Sequence, residues 1–177
     1  MSETNKIDHT SYVHAIEQSK STGKPILIYF HSQSCNGCNR LVDSVFNDPQ
    51  LIGAVNESTI PVWVEVENSQ PDPRISELVG SHIFIMSPVL QLISSDGDIY
   101  HKFLGAPLHT RLDLGYCRVH HDVEGDIDAS ETVSQLSVGL AKQAMASFNY
   151  SIAESKLRKA LNASNTASVA VREAAYW

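Results

Sequence analysis

Pro25-Ile26-Leu27-Ile28-Tyr29-Phe30-His31-Ser32-Gln33-Ser34-Cys35-Asn36-Gly37-Cys38 decides how the chain is read. An apolar run ends in a polar loop that carries two cysteines at C-x-x-C spacing. Helical spacing follows, with Leu41, Val42, Val45 and Phe46 on one face and Arg40, Asp43 and Ser44 opposite. This is the signal of a redox pair on a strand-to-helix turn. A strand apolar at every position is buried on both faces, as in the middle of an α/β sheet.

Working outward, residues 11–19 give a short helical face through Tyr12, Val13, Ala15 and Ile16, and residues 21–25 stop it. Downstream, Asn47-Asp48-Pro49 breaks the helix after the cysteines. Asp48 is a natural cap, and Pro49 suits the first position of the next helix. Residues 60–66 are β-branched and read as a strand, residues 68–73 as a loop, and residues 74–79 as a short helix. Ser87-Pro88 enters a further strand that closes at Ser94-Ser95-Asp96-Gly97-Asp98, where Asp-Gly marks a hairpin. Residues 99–104 return. The order α-β-α-α-β-α-β-β predicts a mixed sheet covered by helices on both faces.

Residues 105–128 hold three glycines, Pro107, His109, the lone Cys117, and His120-His121, with Leu108, Leu112 and Leu114 as a candidate helix face. Residues 125–130 read as a linker. From Glu131 the composition turns to Ala, Ser, Leu, Lys and Glu. Leu136, Leu140, Ala144 and Phe148 make one stripe; Ile152, Ala153, Leu157, Ala160 and Leu161 make another; residues 169–174 begin a third. The expected organisation is an α/β domain over residues 1–128 and a helical hairpin tail over residues 129–177.

The totals fit a folded chain: 177 residues, 42% hydrophobic, 19% charged, formal net charge −7. Without a basic stripe, nucleic acid is not an expected partner. Three cysteines cannot form a structural disulfide framework. No apolar run is long enough to span a membrane. Met1 to Thr10 lacks the apolar core of a secretory signal, so the expectation is a reducing cytoplasm, or the periplasm if a leader has been removed.

Four features in order across roughly residues 11–105 resemble the thioredoxin superfamily: the buried strand, the Cys35-Asn36-Gly37-Cys38 motif opening a helix, Ser87-Pro88 before a strand, and the Asp96-Gly97 hairpin. Residues 24–30 and 45–51 are similar to its bacterial thioredoxin-like branch, which reads roughly KPILIYFHS.SC..C and then VFNDPQL. The resemblance implies a thioredoxin-like mixed β-sheet flanked by helices, with Pro88 taking the place of the cis-proline that faces the site. The chain departs from thioredoxin in three ways. Ser34 stands where an aromatic precedes the first cysteine. Tyr29 stands where the strand carries a buried acid, and Asn36-Gly37 replaces Gly-Pro. Glu65 and Glu67 are candidate substitutes for the missing acid. The tail is weakly similar to a degenerate tetratricopeptide repeat through Ala141, Ala153, Leu157, Ala160 and Ala175, without that repeat's aromatic and proline positions. A lone hairpin of that kind must pack on the sheet domain, on another chain, or on further sequence.

The implied chemistry is thiol-disulfide exchange. Cys35 at a helix N-terminus is the nucleophile and Cys38 resolves the mixed disulfide. Asn36, Gly37 and His31 tune the pair, His31 by placing positive charge nearby. Ser87 and Pro88 would offer a backbone edge to a substrate peptide. The expected activity is reduction of protein disulfides, with disulfide-containing proteins as substrates, a recycling reductase or dithiol donor as partner, and no cofactor. The alternative is an interaction module in which residues 131–177 bind a protein and the thiols are secondary or regulatory. A third reading makes Cys35 and Cys38 half of a zinc site, which needs two more ligands from His31, Cys117, His120 or His121. The plainer reading of Cys117 is a small apolar residue, of His120-His121 a solvated pair, of His31 a strand-end residue, and of Tyr29 core packing with a satisfied hydroxyl.

Overall fold

The computed structural model describes residues 6–33, 35–66, 73–75, 89–104 and 129–163. Helix α1 spans Tyr12–Thr22, longer than the apolar spacing alone predicts. Ser11 starts it by accepting from the His14 amide, and Gly23 ends it in the left-handed region at φ 71°, its N–H returning to the Ser19 carbonyl. Strand β1 (Ile26–His31) is buried throughout. Helix α2 (Asn36–Ser44) follows, capped by Cys35. Helix α3 (Pro49–Ser58) begins as its sequence predicts: the Asp48 carboxylate accepts from the Gln50 and Leu51 amides, and Pro49 occupies the first turn. Strands β2 (Ile60–Glu65), β3 (Val89–Ile93) and β4 (Ile99–Leu104) complete the sheet. Helices α4 (Ala129–Ala146) and α5 (Tyr150–Ala163) form the hairpin.

The sheet order is β2-β1-β3-β4, with β1 and β2 parallel and the other pairs antiparallel. The expected mixed sheet is therefore present. At the β3–β4 turn the Ser94 hydroxyl accepts from the Asp96 and Asp98 amides, and Gly97 takes φ 97°, a conformation that suits glycine.

Strand pleating sorts the core into two faces. Leu27 and Tyr29 of β1 join Leu90 and Leu92 of β3 under Leu41 of α2 and Val45 at its end, Leu51 and Val55 of α3, and Val133, Leu136 and Leu140 of α4. Ile26, Ile28 and Phe30 point the other way, with Val62, Val64, Ile93 and the α1 residues Tyr12 and Ala15. Of the three ways open to the hairpin, the structure takes the first: α4 lies on the sheet. Gly139 makes that approach possible, since a Cβ there would stand 3.0 Å from Leu92 and 3.1 Å from His101. Helix α5 packs on the outer side of α4, where Ala160 meets Val138 and Ala153 meets Ala141 and Ala144. The Ser134 hydroxyl donates to the Ala160 carbonyl at 3.1 Å.

Three stripe residues depart from their sequence reading. Phe148 does not continue the α4 stripe; the helix ends at Ala146, and Phe148 takes φ 57° and is 79% exposed. Ile152 and Leu161 flank the buried Ala153 and Ala160 but face solvent, because Ala153, Leu157 and Ala160 make the face turned to α4. Of the expected 125–130 linker, Ala129 and Ser130 already belong to α4; its residues 125–128, with Glu67, residues 76–79, Ser87-Pro88, His109, Cys117, His120-His121 and residues 169–175, lie outside the described residues.

Candidate redox site

Cys35 occupies the junction of loop and helix with extended backbone (φ −92°, ψ 104°), and its Sγ accepts from the Cys38 amide at 3.1 Å. The Asn39 amide donates to the Cys35 carbonyl at 3.1 Å, closing the first turn. Cys35 and Cys38 are joined as a disulfide with Cα atoms 5.2 Å apart, a separation such a bond requires. Cys35 is 3% exposed and Cys38 1%. Leu41 and Val45, fully buried one and two turns on, fix the helix to the sheet. Asn36 and Gly37 supply the opening backbone of α2.

Beneath the turn, Tyr29 occupies the position of the buried acid of thioredoxin. Its hydroxyl donates to the Cys38 carbonyl at 3.1 Å. Burial, and then the Glu65 charge, push its phenol well above the ordinary tyrosine range. Tyr29 is thus a fixed donor and cannot take up a proton from Cys38. The core-packing reading with a satisfied hydroxyl holds. Its ring packs edge-on against Phe46 at 4.7 Å and Trp63 at 4.8 Å.

His31 is more than a strand end. Its Nδ1 lies 3.0 Å from both Glu65 oxygens, and its Nε2 lies 3.2 Å from Asn39 Oδ1. Trp63 Nε1 donates to Glu65 Oε2 at 3.2 Å, and the Trp63 ring lies 4.7 Å from that of His31, tilted by 38°. Asn39 Nδ2 donates to the Gln33 carbonyl at 3.2 Å. The parallel register assembles this group, pairing Tyr29 with Trp63 and His31 with Glu65. Glu65 was legible as a candidate. Trp63 and Asn39 were missed, although two parallel strands counted from their first residues place 63 and 65 beside 29 and 31.

Among the described residues, no group of three His, Cys, Asp or Glu side chains comes together as a metal-binding set. None of the described helices is long and apolar enough to cross a membrane.

No curated protein matches the chain. Solved structures similar to it include a DsbH oxidoreductase, at 23% identity over 55% of this chain and 72% of that one, with a TM-score of 0.47. Another is a putative disulphide-isomerase from Bacteroides thetaiotaomicron, at 21% identity over 56% and 79%, TM-score 0.46. A third is the C-terminal domain of Neisseria meningitidis DsbD in the oxidised form, at 20% identity over 52% and 78%, TM-score 0.42. Residues 12–113, more than half of the chain, match the model of the thioredoxin-like domain. All four strands and the cysteine pair at the start of α2 belong to the same stretch, and the chain is a member of the thioredoxin-like family.

Proposed function

We propose that the protein is a thiol-disulfide oxidoreductase that reduces protein disulfides through Cys35 and Cys38. The observation that carries this reading is the bonded pair at the start of α2, with Cys35 as the cap. In the dithiol state the Cys35 thiolate attacks one sulfur of a substrate disulfide. A mixed disulfide forms, and the other substrate sulfur leaves as a thiolate and takes a proton. Cys38 then gives up its proton and attacks Cys35, releasing the second substrate sulfur. The protein is left as the Cys35–Cys38 disulfide, and a dithiol donor returns two electrons and two protons. The α2 N-terminus favours the Cys35 thiolate through its free amides and dipole. Ser87 and Pro88 are proposed to pair with the substrate backbone, and Asn36 and Gly37 to tune the pair through the opening amides of α2. Reduction is the direction expected in the cytoplasm; in the periplasm the same pair would meet oxidised partners.

The test is insulin reduction together with a Cys38→Ser variant. Reduction by wild type, and mixed disulfides trapped on Cys35 in the variant, are expected. A wild-type protein that neither reduces insulin nor cycles between dithiol and disulfide overturns the reading.

The alternative, an interaction module, draws support from the hairpin tip, where Phe148 is 79% and Tyr150 63% exposed. The repeat-like spacing of the hairpin belongs to this reading. Because α4 is part of the sheet's core, deleting residues 131–177 would disturb the redox domain as well, and point variants at the hairpin tip are the cleaner test. A Phe148→Ser, Tyr150→Ser double variant that loses a partner kept by Cys35→Ala, Cys38→Ala would favour it.

A further inference from the structure

The His31 ring stands between two groups that accept hydrogen bonds. Nδ1 faces both oxygens of the Glu65 carboxylate at 3.0 Å, and Nε2 faces Oδ1 of Asn39 at 3.2 Å. The Asn39 amide is oriented by its own donor. Its Nδ2 meets the Gln33 carbonyl at 3.2 Å, and a carbonyl can only accept. A neutral imidazole has one N–H and would leave an acceptor facing a lone pair. A hydrogen on each nitrogen satisfies both contacts, with Glu65 as the counter-charge.

The described ionisable groups against this ring are Glu65 from β2 and the Tyr29 phenol from β1. Trp63 from β2 and Asn39 from α2 are neutral. Tyr29 stays protonated, so Glu65 supplies the negative charge of the pair. The other end of the arrangement reaches the redox turn. Asn39 follows Cys38, its backbone amide donates to the Cys35 carbonyl, and its side chain holds the loop two residues before Cys35.

We propose that His31 is a positioning residue for the dithiol: doubly protonated between Glu65 and Asn39, it clips the loop before Cys35 to the first turn of α2 and sets the positive end of the His31–Glu65 pair toward that turn. This rests on the dithiol-disulfide cycle proposed above. Positive charge at the turn favours the reduced form, in which Cys35 is ionised, over the disulfide. The carboxylate beneath the thioredoxin dithiol is thus replaced by a phenol that only donates and an ion pair whose cation faces the helix.

Two measurements on the full chain test it. The first is the 15N spectrum of the His31 ring in the oxidised wild type at neutral pH. Two protonated nitrogens are expected, and one unprotonated nitrogen overturns the proposal. The second is the thiol-disulfide equilibrium against glutathione for His31→Gln and Glu65→Gln. His31→Gln is expected to shift about tenfold toward the disulfide, a potential about 30 mV more negative, and Glu65→Gln, which removes the counter-charge and with it the second proton of the ring, to shift in the same direction. Asn39→Asp, which keeps an acceptor at Nε2, is expected to retain the doubly protonated ring. A folded His31→Gln protein with an unchanged equilibrium overturns the proposal. If His31→Gln does not fold, Glu65→Gln and the wild-type spectrum decide. A wild type that never exchanges with glutathione sinks the oxidoreductase reading instead, and with it the effect on potential, while the spectrum still judges the ring.

Discussion

Two histidines in this protein are set to opposite proton counts by what faces them. His101 on β4 places Nε2 3.0 Å from the Gln135 Oε1 acceptor, and Lys142 Nζ donates to Nδ1 at 3.2 Å. That pattern holds one hydrogen, on Nε2, where His31 faces acceptors on both sides. Burial pushes the His101 pKa down, with Lys142 adding to the effect and the Gln135 bond opposing it. The sign follows from linkage. Below about pH 6.5 the unfolded chain binds a proton that folded His101 resists, so stability falls as pH drops. His9, lowered mainly by burial, acts in the same sense. Denaturant titrations from about pH 7 to 5 should therefore show wild type losing stability more steeply than His101→Gln. Equal slopes would refute the assignment. At Tyr29 the expectation is structural. Tyr29→Phe should cost about 1–2 kcal/mol for the lost bond to the buried Cys38 carbonyl, read by urea unfolding. It should leave the shape of the pH-rate profile unchanged, since replacing a donor held protonated removes no titrating group; a lost limb would show that Tyr29 acts as a base.

Among the elements, α4 shows where sequence reading succeeds and where it stops. Its apolar stripe of Leu136, Leu140 and Ala144 is at helical spacing and identifies the helix. The stripe does not reveal that Thr132, Ser134, Gln135 and Ser137 are buried too. They are buried because α4 is enclosed, with the sheet on one side and α5 on the other, and small polar residues let both neighbours approach. β1, the Asp48 cap and the stop at residues 21–25 were legible because their signals are local. The Tyr29, His31, Trp63, Glu65 and Asn39 cluster was only half legible, since it depends on a strand register between residues 34 apart in the chain. The closest approach of α4 to the sheet gives the element-scale prediction. Gly139→Val puts carbon atoms into Leu92 and His101, and should destabilise by about 1–3 kcal/mol as overpacking does. A variant as stable as wild type in urea would mean that α4 can lift without cost.

For the whole molecule, the same packing separates two truncations. Ending the chain after residue 128 strips Val133, Leu136 and Leu140 from the face formed by Leu27, Tyr29, Leu90 and Leu92. That protein should bind a hydrophobic dye and unfold without a cooperative transition. Ending it after residue 146 removes α5 and uncovers the smaller surface of Val138, Ala141 and Ala144. This shorter loss should leave a cooperative fold of reduced stability. Calorimetry of both decides, and a cooperative transition in the first would show that α4 is dispensable to the sheet. The change of composition near residue 131 is a change from strands to helices. It is not a change from core to surface, which is why composition alone did not show where α4 would lie.

The position of α4 also imposes a timetable on synthesis. Every strand of the sheet has left the ribosome's active centre roughly forty residues before the end of α4 is made. At about 5–20 residues per second the growing chain waits some 2–8 s with one sheet face uncovered. During that interval Leu27, Leu90 and Leu92 are available to chaperones or to a neighbouring nascent chain. The C-x-x-C turn, which rests on Tyr29 from the same face, acquires its final support only when α4 arrives.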